Sequence, residues 1–127
     1  MHQVLVTGGS GFIGSNFIRY ILSKYDSLNF VVNLDRLSDA ANPENLWDVE
    51  TDPRYYFIKG DIRDKGLVER LFFQYDFDTV VHFAAESHVD RSIEYPELFL
   101  TTNILGTQIL LDTAKRHWTL YSNDKYS

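Results

Sequence analysis

Apolar positions fall along the chain in two alternating rhythms. Short unbroken runs, Val4-Leu5-Val6, Phe30-Val31-Val32-Asn33-Leu34, Tyr55-Tyr56-Phe57-Ile58 and Thr79-Val80-Val81-His82-Phe83-Ala84-Ala85, stop in turn at Thr7-Gly8, Asp35, Gly60-Asp61 and Glu86-Ser87. Runs of this length predict strands buried on both faces. Between them the spacing lengthens. Ile13, Phe17, Ile21 and Tyr25 recur every fourth position and predict a helix after the first strand. Asp64 is placed to cap a second helix, whose Leu67, Val68, Leu71, Phe72 and Tyr75 share a face. Pro96 suits the first turn of a third, with Leu98, Phe99, Ile104, Leu105, Ile109 and Leu110 as a stripe ending near Trp118. The stretch 36–54 is weaker, with a turn at Asn42-Pro43 and one helical turn over 44–47.

Alternation of this kind implies an α/β fold, a Rossmann-type doubly wound parallel sheet with about four strands in the order 3-2-1-4. The fourth strand is then an edge of apolar residues, which natural sheets avoid because it templates aggregation. The expectation that follows is an incomplete fold, either an N-terminal piece of a longer protein or a chain that pairs with another.

Composition narrows the function. The 127 residues are 44% apolar and 24% charged, which suits one packed domain. With 12 Lys+Arg against 18 Asp+Glu the net charge is -6, which disfavours a nucleic-acid partner. Without cysteine there is neither a disulfide framework nor a thiolate metal site, and no metal ligands are assigned. No basic leader precedes an apolar segment, and no apolar run approaches the roughly 18 residues of a membrane span, so a soluble, cytoplasmic protein without a membrane partner is expected.

The candidate chemistry begins at the first turn. Gly8-Gly9-Ser10-Gly11-Phe12-Ile13-Gly14 follows a strand and opens a helix. Glycines alone also fit a flexible turn, but in that context they make a dinucleotide-binding hypothesis. Gly8 would allow the tight turn, Gly11 the approach of a pyrophosphate, and Gly14 close packing of the helix. The phosphates would meet the free N–H groups and positive end of that helix. Asp35 ends the second strand 21 residues after Gly14, where an acid would meet the ribose diol and repel a 2′-phosphate, favouring NAD over NADP. The alternative is that Asp35 only caps the next loop. Arg36 could stack on the adenine or soften the repulsion. Asp61 and Ile62, ending the third strand, could hold the adenine, although a turn aspartate fits equally well. His82, mid-strand among apolar residues, reads as a hydrogen-bonded core histidine.

Thr7-Gly8-x-x-Gly11-x-x-Gly14 resembles the fingerprint of the extended short-chain dehydrogenase/reductases. Within them, Val80 through Ser92 followed by Thr102-Asn103-Ile104-x-Gly106-Thr107 is similar to the dTDP-glucose 4,6-dehydratases. The likeness runs from about Gln3 to about Trp118. It implies a cofactor half over residues 1–118 and a tail, 119–127, leading to a missing C-terminal part. It also implies that Phe12 and Ile13 line the pyrophosphate and that Asp35, Arg36, Leu37 and Ser38 border the ribose and adenine. Asp61 and Ile62 would face the adenine, and Phe83, Ala84, Ala85, Glu86, Ser87 and Thr102 the nicotinamide side. Ser87 and, less specifically, His88 would reach a dTDP-sugar, His88 fitting a loop histidine as well. Asp90 and Arg91 read as a local structural pair.

These dehydratases oxidise the sugar at C4 with NAD, eliminate water across C5 and C6, and return the hydride to C6. The resemblance implies a tyrosine base with a lysine four residues on, plus an Asp-Glu pair, and the chain carries no counterpart of them. Tyr20-x-x-x-Lys24 has the spacing but lies late in the first helix, away from the glycine turn. No catalytic residue is therefore assigned, and the chain alone is expected to be inactive. A non-catalytic NAD-binding or regulatory module, and the cofactor half of a related epimerase or decarboxylase, stand as alternatives. A homodimer is expected for the intact enzyme only.

Overall fold

The computed structural model describes residues 1–37, 43–83 and 96–121, with side chains left undescribed at 43–44, 96–104 and 121. The expectations for Ser38, Ala84, Ala85, Glu86, Ser87, His88, Asp90 and Arg91 fall outside the described residues, as does the side chain of Thr102. In chain order the elements are β1 (Gln3–Thr7), α1 (Phe12–Lys24), β2 (Phe30–Asp35), a 3-10 turn (Pro43–Leu46), β3 (Tyr55–Lys59), α2 (Lys65–Tyr75), β4 (Thr79–His82) and α3 (Pro96–Tyr121). The strands form one parallel sheet in the order β3-β2-β1-β4. That is the predicted fold class and order. Among the described residues no helix is long and apolar enough to cross a membrane.

The parallel register brings the carboxyl ends of all four strands to one edge. Backbone bonds carry the pairing a step beyond the strands there: Gly8 N–H to Leu34 O at 2.9 Å, Gly60 N–H to Asp35 O at 3.1 Å and Phe83 N–H to Thr7 O at 2.8 Å. Residues far apart in sequence, around Gly8, Asp35, Asp61 and Phe83, are thereby lined up along a single rim.

Alternate strand residues feed two cores. On the α1 face Val4, Val6 and Val31 pack with Ile18, Ile21, Leu22, Leu28, Leu46 and Val49. On the other face Leu5, Val32 and Leu34 pack with Val68, Leu71, Phe72, Phe77, Leu110 and Ala114. The capping expectation for α2 holds, with Asp64 accepting from the Leu67 N–H at 3.2 Å. The helix ends where Asp76 turns left-handed, φ 51°. α3 passes Trp118 and reaches Tyr121, and Trp118 pins it by donating Nε1–H to Phe77 O at 2.7 Å.

The α1 face departs from expectation. The residues it buries are Gly14, Ser15, Ile18, Ile21 and Leu22, whereas Ile13 and Tyr25 are exposed and Tyr25 lies just past the helix. At 3.6 residues per turn a step of four overshoots by about 40°, so a line through every fourth residue winds off the contact side. Mixed steps of three and four keep to it. β4 is also shorter than the apolar run suggested, ending at His82 with Phe83 still hydrogen-bonded to β1.

Candidate nucleotide-binding site

The glycine turn sits between the ends of β1 and α1. Gly8 has φ 71°, a left-handed conformation that other residues adopt at a cost. Gly14 lies in the first turn of α1, and a Cβ there would stand 2.5 Å from Gly8 O and 2.8 Å from Gly9 Cα. Helix backbone therefore rests directly on turn backbone. Gly11 precedes the helix in an extended conformation, no side chain caps it, and no acidic residue occupies the first turn. This end of α1 keeps both its N–H donors and its positive dipole for a ligand. Phe12 and Ile13 flank it with 77% and 69% of their surfaces exposed.

Asp35 is 6% exposed and its carboxylate is already engaged. Oδ2 accepts from the Ser10 N–H at 2.9 Å and Oδ1 from the Leu37 N–H at 2.7 Å, with Leu37 held at φ 58°. The loop-capping role weighed for Asp35 is the one these bonds show, and it leaves room for more, because each carboxylate oxygen can accept a second hydrogen bond. It braces the turn and the following loop while keeping acceptor capacity for a diol.

At the end of β3 the structure adds a partner that the spacing alone did not flag. Arg63 forks onto Asp61, with Nη2 2.7 Å from Oδ2 and Nε 3.2 Å from Oδ1, and its N–H bonds Oδ1 at 2.9 Å. Arg36 Nη1 stands 3.7 Å from the same carboxylate. Burial alone would raise the Asp61 pKa, but the guanidinium and backbone donors of Arg63, helped by Arg36, hold it below the ordinary carboxylate value. The available signal was the Asp-x-Arg spacing, typical of a side chain folding back on its own turn. Arg36 is accordingly oriented by Asp61. The Ile62 side chain is not placed to hold an adenine as expected: it is 3% exposed and packs in the core, where a Cβ on Gly106 of α3 would overlap it. What Ile62 offers a ligand is backbone.

Phe83 is half-buried against Phe17, ring centroids 5.7 Å apart. His82 bridges β1 and α3 through Thr7 Oγ1 at 2.6 Å and Thr107 Oγ1 at 2.9 Å, and burial pushes its pKa below the ordinary value. A neutral, structural histidine is what the apolar run implied. Tyr20 and Lys24 lie about 12 and 18 Å along the α1 axis from its first residue, at 1.5 Å per residue, away from the turn.

Asn33, read from the sequence only as part of a strand run, lies against the glycine turn. It is fully buried in β2, and its Oδ1 accepts from the Gly9 N–H at 2.9 Å. Its signal was plain in retrospect, since it interrupts the run Phe30–Asp35 with an amide. Beside it a recess of about 230 Å³ is lined by Ser10, Leu37, Leu46, Glu50, Tyr55 and Phe57.

The chain and its fold are similar to those of known proteins. The family model described as GDP-mannose 4,6 dehydratase matches residues 5–126. A dTDP-glucose 4,6-dehydratase of Haemophilus influenzae is 52% identical over 118 residues, 93% of this chain and 34% of that protein. A dTDP-glucose 4,6-dehydratase of Streptomyces venezuelae, solved with NAD and TYD bound, superposes with TM-score 0.82 at 50% identity, over 87% of this chain and 35% of the other. A UDP-glucose 4-epimerase of Thermotoga maritima gives TM-score 0.77 at 32% identity, over 90% and 34%. The chain spans about a third of the length of these relatives.

Proposed function

The chain belongs to the GDP-mannose 4,6-dehydratase family, and from that premise we propose that it is the NAD-binding part of a nucleotide-sugar dehydratase acting on dTDP-glucose. The observation that carries this reading is the convergence of the uncapped α1 N-terminus and the braced Asp35 carboxylate on one glycine turn. First-turn N–H groups at Phe12 and Ile13, beside Gly8, Gly11 and Gly14, hold the pyrophosphate. Asp35 accepts from the ribose hydroxyls, and its charge rejects a 2′-phosphate. Arg36, Leu37 and Ser38 border the ribose, while Asp61 and the Ile62 backbone face the adenine. Phe83, Ala84, Ala85, Glu86, Ser87 and Thr102 form the nicotinamide side, with Ser87 and His88 towards the dTDP-sugar. NAD, when bound, supplies the hydride acceptor and donor.

In the full-length protein the product is dTDP-4-keto-6-deoxyglucose, and residues 1–118 are the cofactor half, with 119–127 leading onward. A soluble, cytoplasmic homodimer belongs to the same proposal. The test is calorimetry with NAD and NADP, followed by product analysis with dTDP-glucose. Tighter NAD binding and loss of water from the sugar are expected. Because UDP-glucose 4-epimerases share this part of the fold, a C4 epimer as product would replace the dehydratase reading. NAD binding without turnover would leave a binding module, and failure to bind either nucleotide would remove the cofactor assignment.

A further inference from the structure

Resting on the reading of the glycine turn as a pyrophosphate site, we propose that Asn33 is the positioning residue of that turn and that Tyr55, by accepting from its NH₂, helps hold the amide against Gly9. Asn33 has no exposed surface, and its neighbours Val31, Val32 and Leu34 are all core. A buried amide is costly unless its groups are paired. Here each end has work: Oδ1 accepts from the Gly9 N–H at 2.9 Å, and Nδ2 donates to Ser10 Oγ at 3.2 Å and to the Tyr55 hydroxyl at 3.1 Å.

Donor and acceptor chemistry leaves a single orientation. The Gly9 N–H can only donate, so the amide oxygen must face it, and the NH₂ then faces two hydroxyl oxygens that can accept. A flipped amide would set donor against donor. Burial pushes the Tyr55 phenol above its ordinary pKa, against the Asn33 hydrogen bond, so it remains a neutral hydroxyl. The contact with the turn is close. A Cβ on Gly9 would overlap the amide oxygen of Asn33, so the turn lies directly on the side chain.

Ser10, the next residue, is held at every polar group. Its N–H goes to Asp35 Oδ2 at 2.9 Å, its carbonyl accepts from Asn45 Nδ2 at 3.0 Å, and its hydroxyl meets Asn33. Asn45 is steadied in turn by Arg19, whose guanidinium bonds the Asn45 carbonyl and forks onto Asp48 at 2.6 and 2.8 Å. The direction of the turn's remaining N–H groups is therefore inherited from β2. A turn held in its binding conformation has little left to order when a phosphate arrives, and so keeps more of the interaction as affinity.

The test uses the full-length protein, with Kd measured for ADP, NAD and adenosine and thermal stability recorded beside them. Asn33→Leu keeps the volume and removes the amide. ADP and NAD are expected to weaken about tenfold while adenosine, which lacks phosphates, changes by less than about twofold. Tyr55→Phe leaves the Gly9 bond in place and should weaken ADP by about two- to fivefold with adenosine unchanged; it carries the test if Asn33→Leu does not fold. A purely structural role would shift thermal stability without separating ADP from adenosine. Unchanged ADP affinity in the folded variants, or equal losses for ADP and adenosine, overturns the proposal. Failure of the unmodified protein to bind ADP or NAD would instead overturn the pyrophosphate reading beneath it.

Discussion

Each face of the sheet carries an apolar core, but beyond it the α1 face and the α2/α3 face are ordered by different kinds of group. On the α2/α3 side Phe72, Phe77, Tyr75 and Phe30 meet ring to ring, Phe72 and Phe77 edge-on at 5.2 Å and Tyr75 stacked on Phe77 at 5.7 Å, so bulk and shape hold the helices. On the α1 side, near the carboxyl rim, Gly14 rests on Gly8 backbone and the buried polar residues Asn33, Asp35 and Ser10 bond to one another and to the turn. Apolar packing is non-directional and tolerates small shifts. Hydrogen bonds from buried amides and carboxylates are directional, and they aim backbone donors. Near the rim, directional polar contacts order the α1 face, whereas ring packing dominates the α2/α3 core.

Substitutions can separate the two. The largest effect is expected from Phe77→Ala, which removes a fully buried ring and should cost about 3–5 kcal/mol of stability in denaturant titration. NAD affinity of the remaining folded protein should hold, and a matching loss of affinity would show that the two faces are not separable. Next, Asp35→Ala should weaken NAD by roughly 1–3 kcal/mol and relax its preference over NADP. Because Asp35 also holds the Ser10 and Leu37 N–H groups, part of that loss should persist with ADP and part with adenosine. NAD and NADP affinities that both stay put would take Asp35 out of the site. Asp64→Ala, which removes the α2 cap, should cost about 1 kcal/mol of stability and leave nucleotide binding untouched.

The smallest effect is a pH dependence. His82 lies in a polar seam on the α2/α3 side, and its pKa is lowered by burial in the folded state. The unfolded chain then binds a proton more readily than the folded one, so this contribution is present above about pH 6.5, the unperturbed histidine value, and fades as pH falls below it. The melting temperature should decline between pH 7.5 and 5.5. In His82→Asn the decline should be shallower, and an identical slope would assign the dependence to other groups.

Much of this architecture is legible along the chain. Strand runs that stop at Gly8, Asp35 and Asp61 announce a parallel sheet with its chemistry at one rim, because a strand buried on both faces must be apolar throughout and can turn polar only where it ends. Asp64 and the α2 face are readable for the same local reasons, a cap bonding three residues ahead and a stripe within one helix. The stripe of α1 is legible only in part, since Ile21 is core and Phe17 packs against it, while Ile13 and Tyr25 are exposed and the sheet selects Ile18 and Leu22 as well. The direction of Ile62 is not legible, since it depends on α3 arriving at Gly106, and neither is the partnership of Asp61 with Arg36, which joins the ends of two strands.

The sequence by itself determined the alternation of elements, the glycine turn and the acid at the end of β2, because those follow from local conformational freedom, period and spacing. Only the tertiary structure decided which side chains serve the turn. Asn33 is one polar residue in an apolar strand until β1 and β2 pair and α1 folds back across them; then Gly9, Ser10 and Tyr55 lie within hydrogen-bond reach of it. Its role comes from partners 22 to 24 residues away in the chain, and the sheet is what brings them together.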